Sequence, residues 1–231
     1  MPREALDNLR ACHSAAQHLT VASRASQAGA ALAPLAAKAA IALLQSVAPL
    51  STGGAPLVPI DKALFLAGSA CRSAGSAFAG AAFVLLNAFV DVTEAMEDGS
   101  AAALDLAELS PAGLPATFLL PPPSAAYVGA EEVEAVKEWV ISAAMQAGGE
   151  QTLREHPCSN CGHDHFAGAL TCSHCGASRE PCAVTGWPVP PAERVEPRAA
   201  VPLVAARDDY NAWVAHFGTC PVTGEPRAVL S

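Results

Sequence analysis

The stretch Pro157-Cys-Ser-Asn-Cys-Gly-His-Asp-His-Phe-Ala-Gly-Ala-Leu-Thr-Cys-Ser-His-Cys-Gly-Ala-Ser-Arg-Glu-Pro-Cys-Ala-Val-Thr-Gly-Trp-Pro-Val189 divides the chain in two. Before it the sequence is alanine-rich and helix-permissive; after it the sequence is short and punctuated by proline. Four of its cysteines, Cys158, Cys161, Cys172 and Cys175, form C-x2-C-x10-C-x2-C, with glycine after each pair. A CxxC turn aims two thiolates at one point, and the glycine lets the backbone fold beneath them. Two such turns supply four sulfurs to a closed tetrahedral site, the arrangement of structural zinc. Four protein sulfurs leave no open position, which argues against catalytic zinc. Free thiols, two disulfides and a redox CxxC are the competing readings. The neighbouring His156, His163, His165 and His174 read as exposed loop residues.

Composition sets the outer limits. The 231 residues carry a net charge of -9, and the 13 lysines and arginines form no basic stripe, so neither nucleic acid nor an anionic membrane is an expected partner. The hydrophobic fraction is 52%, much of it alanine, which predicts closely packed helices more than a large aromatic core. No secretory leader is legible at the N-terminus. Two apolar stretches, 28–50 and 78–90, invite comparison with membrane spans, although the second is too short. Pro34 and Lys38 interrupt one and Asp91 closes the other, so packed helices without membrane insertion are expected.

Working back from the cysteines, apolar periodicity predicts helices over 3–27, 32–47, 62–73, about 78–97 and 131–147. The first presents Leu6, Leu9, His13, Ala16 and Leu19 on one face. The second presents Leu35, Ala39, Leu43 and Val47, and the fourth Phe78, Ala82, Leu85, Phe89, Val92 and Met96. The fifth turns Val133, Val136, Val140 and Ala143 inward. Asp61 is placed to cap the third. Segment 49–59 reads as a loop, 100–109 as one more short helix, and 111–129 as a connector with an extended Pro121-Pro122-Pro123. Small residues around Gly68 and Gly80 suit close helix approach. The expected organisation is helical hairpins over 1–149, tetratricopeptide-like or a plain bundle, and a separate domain over 150–231.

Downstream, Cys182-Ala-Val-Thr-Gly-Trp-Pro188 and Cys220-Pro-Val-Thr-Gly-Glu-Pro226 are near copies. Between them lie a strand-like segment, 200–204, and a helix over 208–217 with Asp208 as its cap. Tyr210, Trp213, Val214 and Phe217 share one side, and Gly218 ends the helix. Thr185 and Thr223 are placed to satisfy turn amides.

The order turn, small hairpin, tryptophan-bearing helix, Cys-Pro turn resembles the U-box and RING family of ubiquitin-ligase domains. With only Cys182 and Cys220 in this core, the metal-free U-box is the closer likeness. The resemblance implies a small α+β fold, with the cysteine pairs as a zinc-ribbon insertion. It implies docking of ubiquitin or a ubiquitin-conjugating enzyme on Val184, Trp213 and Pro221. Its enzymatic form is a weak ligase that positions its partner without a nucleophile of its own. The alternative is a structural core in which the tryptophan packs and the domain caps the helices.

Four stretches in order, Asp61-Lys-Ala-Leu-Phe65, Ala82 to Gly99, Val136-Lys-Glu-Trp-Val140 and Pro181 to Val189, resemble the C-terminus of the largest subunits of intraflagellar transport complex B. That resemblance implies a cargo-adaptor role in the cilium or flagellum and basal body, on the cytoplasmic side, with other transport subunits as partners. The CxxC pairs are not general to that family, so zinc would be a local staple.

Overall fold

The computed structural model describes residues 3–47, 58–99, 106, 109–110, 120, 126–146, 152–197 and 202–230. The chain is mainly helical, and its helices are stacked in sequence order. Helix α1, Arg3–Gln27, turns through a short 3-10 segment into α2, Ala33–Val47. Helix α3, Ile60–Ser73, returns through another into α4, Ala79–Glu97, and α5, Ala130–Met145, packs on α4. Loop 49–57, the polyproline segment and most of 100–109 lie outside the described residues, although Leu106 and Leu109 are buried.

Helix α2 is the centre of the stack. Leu35, Ala39, Leu43 and Val47 are buried as their spacing predicts, and so are Ala36, Ala37, Ala40 and Ile41. A helix apolar over most of its surface must be enclosed: α1 and α3 pack on α2, and its polar side, Lys38 and Gln45, meets the region after residue 152. The stripe of α4 from Ala82 to Met96 is buried, and Phe89 meets Phe65 of α3 at 5.5 Å between ring centroids. Gly68 of α3 sets the α3–α4 distance: a methyl group there would stand 2.6 Å from the Leu86 side chain. Gly29–Val47 and Ser76–Glu97 are long and apolar enough to cross a bilayer, yet most of each is covered by neighbouring helices.

Two expectations for the helices fail. Leu6, Leu9, His13 and Ala16 are exposed; the buried side of α1 is Ala15, Val21, Ala22 and Ala25. Small residues win because α1 lies so close to α2 that methyl groups fill the gap. Asp61 is not a cap. Pro59 precedes α3, and Asp61 is buried in the first turn, where Oδ2 accepts the Tyr127 amide at 2.7 Å. It ties α3 to the approach of α5 across 66 residues. The start of α5 is as expected, with Glu132 reaching back to the Gly129 amide at 3.0 Å. Val133, Val136 and Val140 face inward, and Ala143 is half-buried.

After residue 152 regular structure is sparse. Strands β1, Glu155–Pro157, and β2, Asp164–Phe166, pair antiparallel, with His156 opposite His165. Strands β3, Arg194–Val195, and β4, Ala205–Ala206, form a two-residue ladder before α6, Arg207–Phe217. The strand is therefore not at 202–204 but just beyond, where Ala205 and Ala206 meet Val195 and Arg194. Asp208 does not cap α6 either: Ala206 holds that place, and Asp208 sits in the first turn, favourable to the helix dipole. Gly218, at φ 67°, closes α6 as read from the sequence.

Candidate metal centre and the four knuckles

The cysteine pairs form two turns of one design. At Cys158 the amide donates to the His163 carbonyl at 2.9 Å, and the Gly162 amide returns to the Cys158 carbonyl at 2.8 Å. At Cys172 the partners are Ala177, 2.9 Å, and Gly176, 3.0 Å. Each glycine lies at φ 70–75°, a region closed to most side chains. The turns bring the four Sγ atoms within 4.8 Å of one another, a set that could hold a metal ion. Cys158 and Cys175 stand 3.8 Å apart, and Cys161 and Cys172 3.9 Å. Cys158 and Cys172 are buried; Cys161 and Cys175 face outward.

Donors surround the sulfurs. The Asn160 amide donates to Cys158 Sγ at 3.4 Å, and its side chain donates to Cys175 Sγ at 3.5 Å. Asn160 and then the Ala177 amide bring the Cys175 thiol down to about 6. Three of the four histidines are exposed as expected, and His163 and His174 stack at 4.9 Å beside the sulfurs. His165 departs from expectation: it is buried on β2, Nδ1 lying 3.3 Å from the His163 carbonyl. Arg179 holds the segment between the turns by donating to the carbonyls of Phe166, Ala167 and Ala169.

The two later turns have the same frame. Cys182 donates to the Trp187 carbonyl at 2.7 Å and receives Gly186 at 2.8 Å; Cys220 donates to Glu225 at 2.8 Å and receives Gly224 at 3.0 Å. In all four, the residue before the cysteine pairs with the residue six beyond it: 157 with 164, 171 with 178, 181 with 188, 219 with 226. The chain thus holds four knuckles of form C-x2-[CT]-G, in which Thr185 and Thr223 stand where the first two carry a second cysteine. Sequence reading paired the turns two by two and missed this unity, because it grouped them by metal ligands. The spacing of cysteine to glycine, always four residues, was the available signal. As expected, the threonines serve turn amides, Trp187 on Thr185 Oγ1 and Glu225 on Thr223 Oγ1, both at 3.4 Å.

The third knuckle is docked on the helical stack. Thr185 Oγ1 donates to Asp209 Oδ2 at 3.2 Å, and Lys38 Nζ of α2 donates to Asp209 Oδ1 at 2.8 Å. The Trp187 indole donates to the Lys38 carbonyl at 2.9 Å, and its ring meets Phe78 of the stack and Phe166 of β2 edge-on. The Gln17 side chain donates to the Ala183 carbonyl. Arg24 of α1 lies over the rings of Trp213 and Phe217 at 5.1 and 4.5 Å. Of the residues singled out for partner docking, Val184 is 0% exposed and Trp213 1% exposed, while Pro221 is half-buried.

No family model matches the chain. Among known proteins it resembles intraflagellar transport protein 172 of Chlamydomonas reinhardtii, with 36% identity over 219 residues, 94% of this chain. It is 30% identical over 180 residues to the Danio rerio homologue and 32% identical over 133 residues to that of Homo sapiens, 78% and 58% of this chain. The chain spans only 12%, 9% and 7% of the length of these three relatives. Over the stretch it shares with the algal protein, the chain belongs to the intraflagellar transport protein 172 family.

Proposed function

We propose that the chain is a C-terminal interaction module of an intraflagellar transport subunit, working in the cilium or flagellum and the basal body, on the cytoplasmic side, and serving cilium assembly. Its partners are other subunits of that machinery. The observation that carries this is the 36% identity to the algal transport protein across 94% of the chain. The test is to delete the stretch from the natural protein in a flagellated cell. Shortened flagella and poorer co-purification of the other subunits are expected; normal length with full co-purification refutes the role.

The cysteine centre is read as structural zinc. A Zn–S bond of about 2.3 Å in a tetrahedron sets sulfurs about 3.8 Å apart, and the distances between Cys158 and Cys175 and between Cys161 and Cys172 are 3.8 and 3.9 Å. When bound, the ion would tie two knuckles together and supply no reaction. Elemental analysis should find one zinc per chain; none, in protein purified without chelator, refutes the reading.

The helices are read as tetratricopeptide-like hairpins over 1–149. Residues 150–231 are read as a U-box-like domain that binds ubiquitin or a ubiquitin-conjugating enzyme through Val184, Trp213 and Pro221, with weak ligase activity as its enzymatic form. Support comes from the paired knuckles flanking α6. A ubiquitination assay with a panel of conjugating enzymes tests the enzymatic form; no product above a Trp213→Ala control removes it. The second reading is a structural cap for the helical stack. The burial of Val184 and Trp213 favours it, because a cap puts its apolar residues inward.

A further inference from the structure

We infer that the helical stack covers the partner-docking face of the terminal domain and that Lys38 latches it shut. This rests on the U-box-like reading above, whose proposed face comprises the third knuckle, α6 and the fourth knuckle. Two of those three elements lie under α1 and α2. Ala183 is held by Gln17, and a Cβ on Gly186 would come within 2.6 Å of both Ala42 Cβ and His18 Nε2. Val184 stands between these two contacts and has no exposed surface. On α6, Arg24 lies over Trp213 and Phe217. Only the fourth knuckle is open, with Gly224, Glu225 and Pro226 exposed. No conjugating enzyme could reach Val184 and Trp213 together without moving α1 and α2 aside.

The contact is built to be reversible. Its centre is polar: the ammonium of Lys38 on Asp209, the Thr185 hydroxyl on the same carboxylate, and the Trp187 indole on the Lys38 carbonyl. Parting replaces these bonds by bonds to water, a replacement that a wide apolar seam does not have. Clefts flank the contact on both sides. One of about 510 Å³ runs between His18, Ser46 and Leu203; another of about 800 Å³ runs between Lys38, Phe78 and Arg154. The seam is tight at Gly186 but open to either side of it, which gives water a route to its polar centre. Lys38 joins both bonds, through its ammonium and its carbonyl, so it is the residue on which closure depends.

The test uses the whole chain with Lys38→Ala plus Gln17→Ala, both on the helical stack and outside the docking face. Amide exchange reads opening and titration with a panel of ubiquitin-conjugating enzymes reads binding. Faster exchange over 183–187 and 210–214, with unchanged helix content, and at least tenfold tighter binding than wild type are expected. The charge swap Lys38→Asp with Asp209→Lys should restore slow exchange and weak binding. Wild type binding as tightly as the open variant overturns the covered face and leaves the U-box-like reading standing. Faster exchange with no binding overturns that reading and this inference with it. Unchanged exchange in the variant removes Lys38 as the latch.

Discussion

Two alanine substitutions in equivalent turns measure the docking contact directly. Gly186 and Gly224 occupy the same position of the third and fourth knuckles, at φ 73° and 71°. A side chain at either costs about 1 kcal/mol in backbone strain. Around Gly224 nothing lies within 4 Å of a new Cβ, so strain is the whole effect. At Gly186 the new methyl meets Ala42 Cβ and His18 Nε2, both at 2.6 Å. Neither yields easily, one being a helix methyl and the other a ring atom in a covered site. Overpacking of this kind adds about 1–3 kcal/mol. Gly224→Ala should lower Tm by about 2–4 °C and Gly186→Ala by about 4–16 °C, taking roughly 2–4 °C per kcal/mol for a chain of this size. Thermal and urea melts followed by circular dichroism give both values. Adding Ala42→Gly removes one clashing atom, so the Gly186→Ala and Ala42→Gly pair should be less harmful than the sum of its parts by about 1 kcal/mol. Equal losses at the two glycines, with no coupling to Ala42, would refute the docked arrangement.

Cys172→Ser or chelation should release one zinc per chain and cost on the order of several kcal/mol in the knuckles, while the far-ultraviolet helix signal persists; an unchanged melt refutes a structural site. Burial lowers His18 to about 4, below the usual 6.5. Its folded value is depressed, so the fold favours the neutral ring; stability is full above about pH 6.5 and falls by about 3 kcal/mol as pH drops towards 4. His18→Gln should flatten that slope in melts across the range. Phe89→Ala removes a fully buried ring packed on Phe65 and should cost about 3–5 kcal/mol in urea unfolding; a loss under 1 kcal/mol would mean that the α3–α4 contact is not as described.

The helices were largely legible because glycine and proline punctuate long apolar periods. The faces of α2, α4 and α5 followed from spacing alone. The face of α1 did not, since a reader weighs Leu6 and Leu9 above Ala15 and Ala22. Close helix contact reverses that order when the facing surface is itself alanine. Asp61 and Asp208 have the composition of caps, but position decides. The partner of Asp61 lies 66 residues away and no local pattern announces it. The sulfur cluster was written in four cysteines, whereas the docking chain joins Lys38 to Asp209 across 171 residues. Burial of Val184 and Trp213 was equally hidden: an apolar turn and a tryptophan read alike whether they face a partner or the chain's own helices.

A backbone frame that recurs four times, twice with a second thiol and twice with a hydroxyl, separates shape from chemistry. Oxidants or competing soft metals attack sulfur, and they find Cys161 and Cys175 facing outward. The threonine turns offer them no second thiol, and Cys182 and Cys220 are buried. Chemical insult therefore divides the terminal region: one half can be unclipped while the half seated on α2 keeps its form. A single threonine-to-cysteine exchange, or the reverse, alters the redox character of a turn without rerouting the chain. A chain with threonine in place of Cys161 and Cys175 would retain the same folded outline.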